Sequence, residues 1–361
     1  MSNDKPSRPR AGGDNPSHPR AGGDNPSHPR AGGDNPSHPR AGGDNPSRTR
    51  ASDDNPSRTR ASGDDARRAG VIVVGDLVTD VLVTHAGPIE FGSDTAAEIT
   101  VGGGGQGANT AAWLAHAGRA VTLVAAVGDD PAGRERVAEL TSIGVRCAVR
   151  AHPGAATGSV VVLAGPHERT MVTDRGASLL LDPADVVAAI DASDARHLHL
   201  SGYPLLHDGS RAAGLAALAA ASERGLTTSV DAASAAPLRS VGAKAFLTWV
   251  RDADLLLCNA DEAGVLAGPG PAEEQAARLT AQVAHVVVKQ GAEGASWATR
   301  GGHLWRGTAS RVPAKDPTGA GDAFAAGLLD AWCSGAGPEA ALAAGAALGA
   351  EAVAQIGARP R

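Results

Sequence analysis

The chain has 361 residues, enough for two domains or for one large α/β domain with an appendage. Aromatic residues make up only 2 % of it while 47 residues are glycine, so the core must be built of Val, Leu, Ile and Ala; this suits helices packed on a sheet better than an aromatic-rich β-sandwich. The net charge of −6 is uneven, +3 over residues 1–68 and −9 over the rest, and an acidic body argues against a nucleic-acid-binding surface.

Residues 4–63 repeat a decapeptide of the form Asp-Asn-Pro-Ser-His-Pro-Arg-Ala-Gly-Gly six times, with drift at both ends. No copy holds a large apolar side chain, and a ten-residue period fits no solenoid unit, so residues 1–68 are expected to form a disordered tail. His18, His28 and His38 recur once per repeat and are read as part of that solvated tail rather than as a metal site. The fold is expected to begin near Ala69.

From there, 71–75 reads as a buried strand, 81–84 as a second, 107–117 as a helix and 121–127 as another buried strand. Helix 131–143 leads to a strand at 145–149, and 158–164 with 168–173 look like a hairpin around Gly165-Pro166. The order then becomes regular: helix 183–190, strand 197–201, helix 209–224, strand 227–231, helix 241–250 and strand 254–258. Helices 260–267 and 271–282, strands 285–289, 295–299 and 303–306, and helices 320–334 and 338–355 complete it. Strands alternating with helices predict a doubly wound, mostly parallel sheet sandwiched by helices. The strands near 81–101 and 145–174 break the alternation and are assigned to a small separate sheet, a lid.

Cys147, Cys258 and Cys333 are far apart with no CxxC spacing, which predicts buried thiols in a reducing compartment rather than disulfides or a zinc site. The polar first residues hold no signal-peptide core and no apolar run reaches membrane-spanning length, so no membrane partner and a cytoplasmic location are expected.

The most informative stretch is Asp316-Pro317-Thr318-Gly319-Ala320-Gly321-Asp322, running directly into Ala323-Phe324-Ala325. N–H groups in a helix's first turn lack internal partners and the dipole there is positive, so a glycine turn entering a helix can cradle an anion such as a transferring phosphoryl group. Asp322 sits where it could take the proton of an attacking hydroxyl. No GxxxxGK[ST] occurs, which disfavours a P-loop. The run Gly102-Gly103-Gly104-Gly105-Gln106-Gly107-Ala108-Asn109 contains G-x-G-x-x-G and has Asp129 downstream, so an NAD-dependent oxidoreductase is a rival reading. Alternatively, these glycines let backbone approach a sugar that Asn109 hydrogen-bonds. Asn259 and Glu262 follow a strand and read equally as Mg²⁺-organising groups or as a capping box. Lys289 beside Gly291 and Gly294 reads as a nucleotide-phosphate turn or as a plain hairpin. Asp76 and Asp80 end or follow the first strand and could grip sugar hydroxyls.

Taken in order, these motifs resemble the ribokinase (PfkB) family of carbohydrate and nucleoside kinases over roughly residues 70–358. The turn at 316–324 is the most specific part; Gly104-Gly105-Gln106-Gly107-Ala108-Asn109 and Gly128–Gly133 also match. The resemblance implies a ribokinase-like fold and ATP-dependent phosphorylation of a hydroxymethyl group. It implies Asp322 as base, with the N–H groups of Gly319, Ala320 and Gly321 as anion hole. Asn259 and Glu262 would organise Mg²⁺ largely through water, and Lys289, Gly291 and Gly294 would meet the nucleotide. Asp80, Gly104, Gly105 and Asn109, with Glu168 from the lid, would bind the sugar. Asp316 and Thr318 match a segment that in some members helps bind K⁺. Gln106 stands where ribokinases proper carry lysine, which weighs against ribose, and Arg175 could bind an acid group. A nucleoside, such as pseudouridine or adenosine, is the alternative substrate, a non-catalytic sugar sensor the non-enzymatic rival, and a homodimer through the lid a family-based expectation.

Overall fold

The computed structural model describes residues 70–165, 169–310 and 312–361; the repeat tail and Glu168 lie outside the described residues. Its strands are β1 (Val71–Val74), β2 (Val78–Thr84), β3 (Glu98–Gly104), β4 (Val121–Gly128), β5 (Arg146–His152), β6 (Thr157–Ala164) and β7 (Arg169–Gly176). They continue with β8 (His197–Ser201), β9 (Thr227–Asp231), β10 (Leu255–Asn259), β11 (His285–Lys289), β12 (Ala295–Thr299) and β13 (Leu304–Gly307). Nine of these form one sheet in the order β13-β12-β11-β10-β9-β8-β1-β4-β5. It is parallel from β11 to β5, and β12 and β13 add an antiparallel edge.

Strands β1 and β10 are apolar on both faces, as a sheet covered on two sides requires, whereas β8 and β9 between them bury His197 and His199, both hydrogen-bonded to Ser229 (2.8 Å each). In β1, Ile72 and Val74 join the core under helices Pro183–Asp191, Asp208–Glu223 and Ala260–Ala267. Val71 and Val73 point the other way, into the core under helices Gln106–His116, Ala320–Cys333 and Pro338–Val353. Trp113, Trp297 and Phe246 fill these cores, and small Ala and Gly residues let the rest close, as the composition foretold. Gly327, for example, faces the Ala344 carbonyl with no room for a Cβ.

A second sheet, in the order β3-β2-β6-β7, forms the lid. One expected member is absent: Arg146–His152, assigned to the lid from sequence, pairs in parallel with β4 and edges the large sheet. Alternation splits the lid's side chains between two faces. Val78, Val160 and Val162 form a small buried cluster on the inner face. The outer face carries Val81, Val83 and Val161 beside Ile99, Val101 and Val172, the last three more than half exposed. No described helix is long and apolar enough to cross a membrane.

Candidate active site

A cavity of about 210 Å³ lies between the carboxyl ends of the central strands, the inner face of the lid and the Pro317–Asp322 turn. Open α/β sheets offer their crevice at that edge. Asp76, just past β1, is buried; its Oδ1 accepts from the Gly107 N–H (3.1 Å) and its Oδ2 from Arg175 Nη1 (3.0 Å). Arg175, from β7, places its guanidinium carbon over the Tyr203 ring, 3.6 Å from the centroid, and lines the cavity. Asp80, from β2, lines it too.

The glycine run is a set of close approaches rather than a flexible turn. A Cβ on Gly104 would stand 2.0 Å from the Asp80 carboxylate, and one on Gly105, at φ +99°, 2.5 Å from the Asp76 carbonyl. A Cβ on Gly103 would overlap the Arg359 guanidinium at 1.9 Å. Because β3 runs antiparallel to β2 in the lid, these glycines do not form the strand-to-helix turn of a parallel βαβ unit, and the dinucleotide reading fails. Asp129, its expected ribose ligand, instead pairs with Arg134 at 2.8 Å on the surface.

At the opposite wall Gly319 takes the left-handed conformation (φ +74°) and starts the helix Ala320–Cys333. A side chain there would also strike the Ala358 carbonyl at 2.3 Å, so both backbone and space select glycine. The Ala320 N–H turns back to the Pro317 carbonyl (3.2 Å), while Gly321 lies in the first helical turn, where no intrahelical acceptor exists. Asp322 in that turn accepts from Asn109 Nδ2 at 2.9 Å. Burial, with Asp231 and Asp76 nearby, pushes its carboxyl up to about 8, against the pull of Asn109 and Lys289.

Lys289 is not an exposed hairpin lysine. Its Nζ donates to Asp231 Oδ2 at 2.6 Å and lies 3.6 Å from where a Cβ on Gly321 would be, beneath the helix start. Burial opposes its charge, but Asp231 and Glu262 hold its pKa above the ordinary value. Asp231 Oδ1 accepts from Gln106 Nε2 (3.0 Å), and Gln106 Oε1 accepts from Ser201 (2.6 Å), so the lysine is wired to the glycine run. Gly291 (φ +58°) lies on an open turn, whereas a Cβ on Gly294 would meet the Gly307 carbonyl of β13 at 1.9 Å, so sheet packing demands that glycine.

Asn259 and Glu262 form a full capping box at the start of Ala260–Ala267. Glu262 accepts from the Asn259 N–H (2.8 Å) and Nδ2 (2.7 Å), and is buried. Burial and Asp231 raise its carboxyl to about 7. Asp316 Oδ1 accepts from both donors of Thr318, and Oδ2 from the Gly357 N–H at 2.9 Å. Among the described residues no group of three or more His, Cys, Asp or Glu side chains forms a ready metal cage. Mg²⁺ does not require one, since it keeps waters and shares phosphate oxygens.

A family model described as pfkB family carbohydrate kinase matches residues 68–361. The chain belongs to the pfkB carbohydrate kinase family. It is 29 % identical over 280 residues to a 2-dehydro-3-deoxygluconokinase of Thermoproteus tenax, covering 75 % of this chain and 84 % of that protein. It is 31 % identical over 262 residues to an ATP-dependent ribose-1-phosphate kinase of Halopiger xanaduensis, covering 71 % and 82 %. A solved structure from E. coli, described as a ribokinase II in complex with ATP and Mg²⁺, superposes with a TM-score of 0.72 at 22 % identity, covering 80 % of this chain and 94 % of that one. The fold is therefore ribokinase-like, and the protein is a sugar or nucleoside kinase of the pfkB family.

Set against that kinase family, the structure gathers Asp80, Gly105, Asn109, Thr318, Gly319, Gly321 and Asp322 around one cavity. Gly104 backs Asp80, and Ala320 stands beside Gly321 in the first helical turn. Asn259, Glu262, Lys289 and Asp316 are not in the cavity lining, and Glu168 is outside the described residues. Sequence reasoning missed Asp231, although it ends a parallel strand as Asn259 does, and it missed Tyr203 and Arg359. Ala233, a non-glycine residue at φ +70° lining the cavity, also went unseen; backbone strain of that kind gathers at functional sites.

Proposed function

We propose that this kinase transfers the γ-phosphoryl group of ATP to a hydroxymethyl group of a monosaccharide, with Asp322 as general base. The observation that carries the reading is the placement of Asp322 in the first turn of Ala320–Cys333, beside Gly321, at the wall of a cavity whose other side is Asp80 and the glycine run. Asp80 and Asn109, with Gly104 and Gly105 backbone, orient the sugar so that its hydroxyl meets Asp322. Asp322 takes the hydroxyl proton as the oxygen attacks, a contribution of about 10²–10⁴-fold. The N–H groups of Gly319, Ala320 and Gly321 face the phosphoryl oxygens, Ala320 exchanging its turn hydrogen bond for the ligand, and Lys289 adds positive charge beneath them. When bound, Mg²⁺ neutralises phosphate charge, and Glu262 with Asn259 would hold its waters. Gly291 and the turn beside it would border the nucleotide. Thr318 and Asp316 brace the anion turn; their part in binding K⁺ is a separate proposal that rate measurements with K⁺ and Na⁺ test.

A cavity of about 210 Å³ falls below the roughly 300–1,000 Å³ of drug-sized pockets, which favours a monosaccharide over a nucleoside. The Tyr203 face that could stack a base is occupied by Arg175. Arg175 keeps its Nε buried without a hydrogen-bond partner, so sugar acids belong in the substrate panel. The exposed outer face of the lid, with Ile99, Val101 and Val172, supports a dimer in which a second copy covers it. ADP release measured with neutral sugars, sugar acids, sugar phosphates and nucleosides tests the reading. Turnover of a sugar supports it, turnover of nucleosides alone transfers it to that class, and tight binding with no ADP release refutes it.

A further inference from the structure

The segment 355–361 is threaded into the site. Trp113 Nε1 donates to the Ala358 carbonyl (2.9 Å), the Gly357 N–H to Asp316, and the Ala358 carbonyl packs over Gly319. This delivers the Arg359 side chain, 12 % exposed, behind the glycine run. Its guanidinium donates through Nη2 to the Gly104 carbonyl (2.9 Å), through Nε to Asn109 Oδ1 (3.2 Å) and through Nη1 to Glu139 (3.3 Å).

We propose that Arg359 is a positioning residue that locks the Asn109 amide so that its nitrogen, and not its oxygen, faces Asp322. This rests on the reading of Asp322 as the base. Arginine carries five donors and no acceptor, so the Asn109 atom it touches must be the oxygen. The amide nitrogen then has one direction left, and it donates to Asp322 Oδ2 at 2.9 Å. With the amide reversed, two donors would meet at Arg359 and two acceptors at an ionised Asp322. The lock therefore favours the ionised base, and it fixes the Gly104 backbone at the same time. Gly103 is glycine because this guanidinium fills the space of its Cβ.

Charged groups surround both ends of this chain of contacts. Asp231, Asp76 and Lys289 act on Asp322 besides Asn109. Glu139, Asp80, Arg136 and Cys147 act on Arg359, which burial lowers to about 10, leaving it charged at neutral pH.

The test is the pH profile of kcat for the full chain with whichever substrate gives ADP release in the panel of sugars and nucleosides. Arg359→Met is expected to lower kcat about three- to tenfold at neutral pH and to move the acid limb upward by about half a unit to one unit. Much of the loss should return at high pH, with KM for ATP unchanged. Arg359→Lys, which keeps charge but not the rigid fork, should shift the limb the same way by less, and it serves if the Met variant does not fold. Asn109→Leu combined with Arg359→Met should be no slower than Asn109→Leu alone, since both break one chain of contacts. A limb that stays at the wild-type pH, or losses that simply add, overturns the proposal, because a merely structural role changes stability and not the titration. Failure of the base reading shows separately, as normal turnover in Asp322→Asn.

Discussion

Replacing Asp322 with Asn should slow the enzyme and stabilise it at once. The two side chains are nearly isosteric, and the amide oxygen can still accept from Asn109 Nδ2, which now reaches the carboxylate at 2.9 Å. The loss is then confined to proton transfer, about 10²–10⁴-fold in kcat, or about 3–5 kcal/mol of barrier. Stability moves the other way. The carboxyl sits at about 8 in the fold because burial, Asp231 and Asp76 disfavour its charge, against about 3.9 unfolded. Folding therefore takes up a proton between those values, and stability declines as pH rises through that window. The full shift sets an upper bound; because the side chain opens on the cavity, screening leaves about 1–2 kcal/mol. Asn does not titrate, so Asp322→Asn should melt higher by roughly 2–4 °C per kcal/mol. The gain should be larger at pH 8.5 than at pH 5. Calorimetric melts at both pH values, beside ADP release, measure it. Wild-type turnover refutes the base, and a gain in Tm that is equal at both pH values refutes the electrostatic account.

Three further outcomes follow from the same geometry. Gly319→Ala forces a left-handed backbone, worth about 1–3 kcal/mol, and drives a methyl to 2.3 Å from the Ala358 carbonyl; its urea midpoint should drop accordingly, and an unchanged midpoint contradicts the tight-turn account. Lys289→Met strands the Asp231 carboxylate, 2 % exposed, and should destabilise by about 3–5 kcal/mol. Adding Asp231→Asn should restore part of that, whereas additive losses in urea denaturation would disprove the pairing. Val101→Lys, on the outer lid face, should reduce the mass seen by light scattering to one chain while kcat at saturating ATP holds. A wild-type species that is already monomeric at tens of micromolar removes the dimer.

Local pattern carried the elements whose environment is uniform. The run Val71–Val74 is apolar on both faces because both faces are covered, and the turn at 316–322 announced a helix start that the fold turns toward a cavity. What the pattern could not carry was partnership. Arg146–His152 reads as a strand either way, and whether it edges the large sheet or joins the lid is decided by pairing with β4, 24 residues earlier. Lys289 reads equally as a phosphate contact or a hairpin lysine because Asp231, which draws it inward, lies 58 positions away. Arg359 lies 250 positions from Asn109, and nothing in its neighbours marks it. The glycine run makes the general point. From sequence it could be a flexible turn, a dinucleotide fingerprint or a sugar approach, since glycine records only that a side chain is missing. In the fold Gly103, Gly104 and Gly105 are each held to glycine by a different neighbour, namely Arg359, the Asp80 carboxylate and the Asp76 carbonyl. Crowding by charged and polar groups, joined at Gly105 by a positive φ, is what those residues encode, and it becomes readable once the groups that crowd them are in place.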